Sequence, residues 1–385
     1  PPVAPDRAVG RRSPAVGREP LGPVPLCHVH GMGSRSQRGD ARVAGRFKTW
    51  SGREPRDLYP GGATESGMEV DGAAAQCDAV LAELTATVIG ERSFFETVLT
   101  GVVADGHVLL EDVPGTGKTL TARSLATTLG LEFNRIQFTP DLLPSDITGT
   151  HIYNEQAGEF EFSEGPVFAN VVLADEINRA PPKTQAALLE AMEEGQVSVD
   201  GETRSLPEPF FVIATQNPVE QEGTFRLPEA QVDRFTVKSS MGYPDRDGEL
   251  ELIDRRADRD TQAPSASSVT EREAVLAMQA VPETVEVHDS VREYVVDLGR
   301  ATRQDSRVEV GVSPRGVQLL FEAARARAVL EGRSFVAPDD VRAVVYPVMT
   351  HRLVLTGEAQ VRDIDKRDVV TDVLDRVPVP AMDDL

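Results

Sequence analysis

The apolar run Val108-Leu109-Leu110 leads within a few residues into Val113-Pro114-Gly115-Thr116-Gly117-Lys118-Thr119, and this junction restricts the fold more than any other stretch. A short strand apolar on both faces, a glycine-rich turn and a helical run over Leu120–Leu129 form a strand–loop–helix unit. Strands of that kind are buried on both sides, as in parallel sheets covered by helices. Further apolar runs occur near Glu132–Gln137, Val171–Ala174, Phe210–Thr215 and Phe235–Met241, with helical spacing between them. The alternation predicts a three-layer αβα fold around a parallel sheet. At 385 residues the chain exceeds one ordinary hydrophobic core, so a second domain is expected.

The chemistry of the turn follows from its residue types. Gly115 and Gly117 allow the backbone to curl so that successive N–H groups face an anion. The helix beginning near Lys118 adds the partial positive charge of its N-terminus. Lys118 would set its ammonium between β- and γ-phosphates, and Thr119 would offer a hydroxyl to Mg2+. The segment Val113 through Leu120 is therefore the candidate ATP-binding loop. It departs from the usual pattern at one position, where Asp112 replaces glycine.

About fifty residues later Val171-Val172-Leu173-Ala174 runs into Asp175-Glu176. Two carboxylates directly after four apolar residues are poorly explained as surface. Asp175 at a strand end would hold Mg2+, and Glu176 would polarise a water for in-line attack on the γ-phosphate. The run Phe210–Thr215 ends in Gln216-Asn217-Pro218, which puts Asn217 at the edge where open α/β sheets bind ligands. An Asn before Pro is also an ordinary turn former.

At this point the sequence resembles the AAA+ ATPases, and within them the MoxR group. The most specific stretch is Arg135-Ile136-Gln137-Phe138-Thr139-Pro140-Asp141-Leu142-Leu143-Pro144-Ser145-Asp146-Ile147-Thr148-Gly149. It is joined by Gly165-Pro166-Val167-Phe168, by Ala174 through Ala180 and by Leu227 through Phe235. The resemblance spans roughly Val88 to Leu353 and implies a P-loop AAA+ core followed by a small all-α lid. It implies that Asn217 is sensor 1, that Arg234 is an arginine finger acting on a neighbouring subunit, and that Arg315 of Ser313-Pro314-Arg315 is sensor 2 contacting the same nucleotide. Val88-Ile89-Gly90 resembles the segment lining the adenine pocket. The stretch Tyr153–Phe162 resembles an insert that projects into the channel of a ring, and Gln196–Glu202 reads as a second hairpin turning at Asp200-Gly201. Either hairpin could touch a client polypeptide or only pack on its own domain.

By the same resemblance the assembly is a hexameric homo-oligomer. Its output is chaperone-like remodelling of protein complexes, with a von Willebrand factor A domain protein as partner. Two other readings stay open: the motor subunit of a metal chelatase, and a nucleotide-dependent switch with little turnover.

Net charge is −22, distributed unevenly. Residues 1–67 hold 11 Lys+Arg against 6 Asp+Glu, whereas the remainder holds 29 against 56. With only five lysines in the chain, the dense carboxylate surface fits a protein adapted to high salt. The same charge disfavours duplex DNA, which needs clustered cations. Two cysteines provide neither a disulfide framework nor a metal set, and no apolar run approaches membrane-spanning length. These features predict a cytoplasmic location. Residues 1–67 contain 9 Pro and 11 Gly and are expected to be disordered or not part of the native protein. The remaining boundaries are expected at 68–255 for the α/β core, 256–270 for a linker and 271–385 for the lid.

Overall fold

The computed structural model describes residues 67–156, 158–217, 225, 227–257 and 265–381. The expectation for residues 1–67 therefore falls outside the described residues except at Gly67, and that for the linker is covered only at its ends.

Helices α1 (Val70–Thr87) and α2 (Arg92–Val103) precede β1 (Val108–Glu111), and α3 (Lys118–Thr128) follows the glycine-rich turn. Next come β2 (Phe133–Gln137), a single turn α4 (Pro144–Thr148) and a hairpin of β3 (Gly149–Asn154) and β4 (Glu159–Glu164). Strand β5 (Val171–Asp175) and helix α5 (Pro182–Glu194) lead to a second hairpin, β6 (Gln196–Val199) and β7 (Glu202–Ser205). The core closes with β8 (Phe211–Gln216), the short α6 (Glu229–Val232) and β9 (Val237–Ser239).

The five-stranded sheet has the order β2-β5-β8-β1-β9, and every pair in it is parallel. Alternate side chains feed opposite faces, as the pleat requires. Val108, Leu110, Val171, Leu173, Phe211 and Ile213 enter one apolar cluster. Leu109, Val172, Ala174, Val212 and Ala214 enter the other, under α4 and α5. Gly101 of α2 permits close packing here, because a Cβ would stand 2.9 Å from the Val237 side chain. In the second hairpin Asp200 and Gly201 have φ of 52° and 85°, the pair of left-handed residues that a two-residue hairpin turn needs.

Beyond the sheet lie α7 (Arg246–Ala257), α8 (Arg272–Ala280), α9 (Asp289–Arg303), β10 (Val308–Val310) and α10 (Pro314–Leu330). The described chain ends with α11 (Pro338–Met349), β11 (Val354–Leu355), α12 (Gly357–Val361) and α13 (Lys366–Arg376). Ser313 caps α10 by accepting from Gly316 N at 3.0 Å, with Pro314 in the first turn. The sequence did not point to α7, none of whose residues is buried, so no core-facing stripe marks it. The β10–β11 ribbon is too short to leave a periodic signal.

The first apolar cluster does not stop at the α/β layer. It runs without a break from α1, α2 and α3 into Val275, Leu298, Leu320, Val345 and Val370 of the lid helices. The α/β layer and the lid helices therefore share one apolar interior.

Candidate nucleotide site

The carboxyl ends of β1, β5 and β8 carry the loop, the Asp175-Glu176 pair and Asn217, so the parallel register delivers all three to one sheet edge. In the loop Gly115 and Gly117 have φ of 87° and 96°, left-handed values that a side chain resists. A Cβ at Gly115 would meet nothing within 4 Å, so glycine is required there by conformation and not by crowding. Lys118 donates from Nζ to the carbonyls of Asp112 at 2.6 Å and Val113 at 3.1 Å. Burial lowers the pKa of its ammonium, against the opposing fields of Asp112, Asp175 and Glu176. The arrangement holds a cation inside the curl of the loop, as a triphosphate would require.

Asp112 explains its own departure from glycine. Its buried carboxylate accepts from Ser240 Oγ at 2.7 Å, Met241 N at 2.7 Å and Gly242 N at 2.9 Å. The loop is thereby clasped to the segment that follows β9. Met241 in turn lies against Gly117 and Gly90, so Val88-Ile89-Gly90 flanks the loop. The side chain at position 112 does the work that a glycine could not.

Asp175 and Glu176 are held by neighbours that the sequence did not single out. Thr215 Oγ1 donates to Asp175 Oδ1 at 2.6 Å and accepts from Glu176 N at 2.9 Å. Arg135 grips Asp175 Oδ2 from Nε and Nη2, at 3.1 and 2.6 Å. Arg135 also donates to Gln137, whose Nε2 donates to Glu176 Oε2 at 2.9 Å. Glu176 has φ 56°, a left-handed conformation uncommon away from glycine, which turns its carboxylate off the strand axis. The missed signal is the spacing Arg135-x-Gln137 on β2, whose register sets Gln137 opposite Asp175. Thr119 in the first turn of α3 and Asp175 supply hard oxygen donors of the kind Mg2+ takes, so the residues present fit Mg-ATP.

The two arginines are found elsewhere. Arg234 donates to Glu193 Oε2 from Nε at 2.9 Å and Nη2 at 2.6 Å, and Arg315 Nη1 donates to Glu193 Oε1 at 3.2 Å. Both follow from anchorage at the amino ends of the strands. The segment after Arg234 bonds there, with Thr236 N donating to His107 O at 2.9 Å just ahead of β1. The charge of Arg315 is felt by the buried His107. In the arrangement seen, Arg315 shares the Glu193 carboxylate with Arg234. Beneath them Arg352, fully buried, donates to Asp233 Oδ1 at 2.8 Å and to the Phe235 carbonyl at 2.7 Å. Ser313 donates to Asp233 Oδ2 at 3.0 Å. The lid is fastened to the chain segment that bears Arg234.

Residues 107–237 match the model of the ATPase family associated with various cellular activities (AAA), and residues 300–373 match that of the AAA lid domain. The protein called Chaperone MoxR1 from Mycobacterium tuberculosis is 41% identical over 88% of this chain and 91% of its own length. The chain belongs to the MoxR family of AAA+ ATPases. Another relative in that range is the Bacillus subtilis protein YeaC, 48% identical over 76% of this chain and 91% of its own. A solved structure from Cytophaga hutchinsonii superposes with a TM-score of 0.75 at 40% identity, covering 80% of this chain and 96% of that one. The family's core match spans Asp112 through Arg234, and its lid match includes Arg315. Among the described residues no helix is long and apolar enough to cross a membrane.

Proposed function

We propose that this MoxR-family chain is a Mg2+-dependent ATP hydrolase that works as a homo-oligomeric ring and remodels protein complexes. The observation carrying this reading is the convergence of Lys118, Asp175 and Glu176 at one sheet edge, with the charges of both carboxylates acting on Lys118. The backbone of Val113 through Leu120 and the Lys118 ammonium bind the triphosphate. Thr119 and Asp175 would hold Mg2+, which would supply charge neutralisation to the triphosphate. Glu176 orients the attacking water and takes its proton, and Asn217 positions the same water from the end of β8. Gln137 and Arg135 hold the two carboxylates apart until substrate arrives.

Arg234 and Arg315 point to a site divided between subunits. Both stand near the amino ends of the strands, while the loop stands at the carboxyl ends. A guanidinium so placed would serve the phosphate of an adjoining copy, where it stabilises charge on the transferring phosphoryl group. The β3–β4 hairpin supports a polypeptide client. Tyr153 and Phe160 pair at 5.2 Å near its tip and stay 52% and 69% exposed, an apolar surface with an acidic surround. Its base is braced on the second hairpin, with His151 Nδ1 2.9 Å from Asp200 and the Arg204 guanidinium 4.0 Å above the Phe162 ring. Partnership with a von Willebrand factor A domain protein, and a cytoplasmic setting, belong to the same proposal.

The test is steady-state Mg-ATP hydrolysis against protein concentration, run beside Glu176→Gln. Specific activity that climbs with concentration and disappears in the variant supports a shared-site ATPase. Turnover that is flat in concentration and survives in the variant defeats it.

A further inference from the structure

Glu193 is the residue on which the two separated arginines meet. It lies next to last in α5, the helix that begins six residues after Glu176 at Pro182. At 1.5 Å per residue its 13 residues make a rod of about 20 Å. Gln185 Nε2 donates to the Ile177 carbonyl at 3.0 Å, which ties the start of that rod to the turn behind Asp175 and Glu176. One end of α5 is therefore set by the chain's own carboxylates, and the other end holds Arg234 and Arg315.

The geometry at Glu193 is that of a shared seat. One oxygen takes the Nε–Nη2 edge of Arg234 and the other takes Nη1 of Arg315. That edge of Arg234 is the one a guanidinium presents to a phosphate in bidentate contact. Arg234 Nη1 is directed at the Ala230 carbonyl, 3.4 Å away. Arg234 and Arg315 share this carboxylate, Asp233 also acts on Arg315, and both arginine side chains are about three-quarters or more buried. The carboxyl of Glu193 is raised by its own burial but more strongly lowered by Arg234 and Arg315, so it stays ionised. An incoming phosphate would meet the arginines and this carboxylate together, and the carboxylate repels it.

We propose that Glu193 is a latch on Arg234 and Arg315, holding both off a neighbouring subunit's phosphate until that contact displaces it. The inference rests on the reading of the two arginines as acting across a subunit boundary. Through α5 the state of the chain's own Asp175-Glu176 site would set how readily the latch opens. Hydrolysis in one subunit is thus linked to the availability of arginines for the next.

The experiment compares Mg-ATP hydrolysis of the full chain and Glu193→Gln across a protein dilution series, alone and combined with Arg234→Ala. Glu193 is partly exposed, so the expected effect is moderate. The variant should reach half-maximal specific activity at roughly threefold lower concentration. Affinity of the chain's own loop for a fluorescent ATP analogue should not change. The gain must vanish in the Arg234→Ala background. Glu193→Asp, which keeps the charge and shortens its reach, should shift in the same direction by less. Unchanged or reduced activity in Glu193→Gln with normal analogue binding overturns the latch and leaves the ATPase reading standing. Wild-type chain that binds the analogue yet hydrolyses nothing at any concentration overturns the ATPase reading and the latch with it.

Discussion

Replacing Asp112 by glycine restores the residue that phosphate loops usually carry at that position, and the structure says it should weaken the protein. The carboxylate accepts two backbone N–H groups and one hydroxyl, all from Ser240-Met241-Gly242. Asp112 is only 4% exposed, so removing it strands three donors in a largely dry site. A buried donor without its acceptor costs about 1–3 kcal/mol. Water can reach the loop from its open side and recover part of this, while glycine adds backbone freedom to the unfolded chain. The net loss should be about 2–4 kcal/mol, or about 1 M in urea midpoint for a slope of about 3 kcal/mol/M. Circular dichroism through a urea titration reads it directly. Asp112→Asn can accept on only one side of its amide, so it should fall between wild type and glycine. ATP affinity should drop in step, since the loop loses the anchor that fixes its curvature. If Asp112→Gly unfolds within 0.5 kcal/mol of wild type, the clasp contributes nothing and the reasoning fails.

Other expectations are simpler. Lys118→Ala should lose ATP binding altogether, measured by analogue fluorescence, whereas Glu176→Gln should bind and not turn over. Arg234→Ala should keep ATP affinity and lose hydrolysis about 100-fold or more. Mixing it with Lys118→Ala should recover activity, and a mixture as dead as its parts argues against a shared site. His107 is fully buried, accepts from Val212 N through Nδ1 and bonds the Met192 carbonyl through Nε2, and burial lowers its pKa to about 4. The unfolded imidazole takes its proton near pH 6.5, so stability present above that pH is lost as pH falls toward 4, by about 3 kcal/mol. His107→Gln, which keeps one donor and one acceptor, should flatten that acid limb in denaturation curves taken between pH 7 and 4.5. Arg352→Met should lower the melting temperature by several degrees, because it leaves the Asp233 carboxylate and the Phe235 carbonyl short of a donor.

The sequence made the strand–loop–helix unit legible because β1, β5 and β8 are apolar on both faces and end in residues of unmistakable chemistry. Lid helices α10 and α11 begin at Ser313-Pro314 and Ala337-Pro338, and proline in a first helical turn is a start signal that a sequence carries by itself. What could not be read is what depends on distance in space. Thr215 looks like one more β-branched strand residue until its hydroxyl is seen against Asp175. The spacing of Arg135 and Gln137 marks one face of a strand, but only the sheet register shows which carboxylates they grip. Glu193 sits in an ordinary Glu-Glu helix end, and only the third dimension brings it to arginines 41 and 122 positions away. Helix α7 escaped notice because none of its residues is buried, so no apolar stripe marks it.

A core without a seam has a thermodynamic consequence. The lid carries its own family match, yet its apolar side chains and those of α1 and α2 belong to the same cluster. Heating should therefore melt both lobes in one calorimetric peak, and severing the chain between 257 and 265 should leave two fragments that remain associated. The unit that selection can duplicate or trade is then the whole 68–381 stretch. A chimera that joins this α/β layer to a foreign lid would have to replace the shared interior as well as the junction.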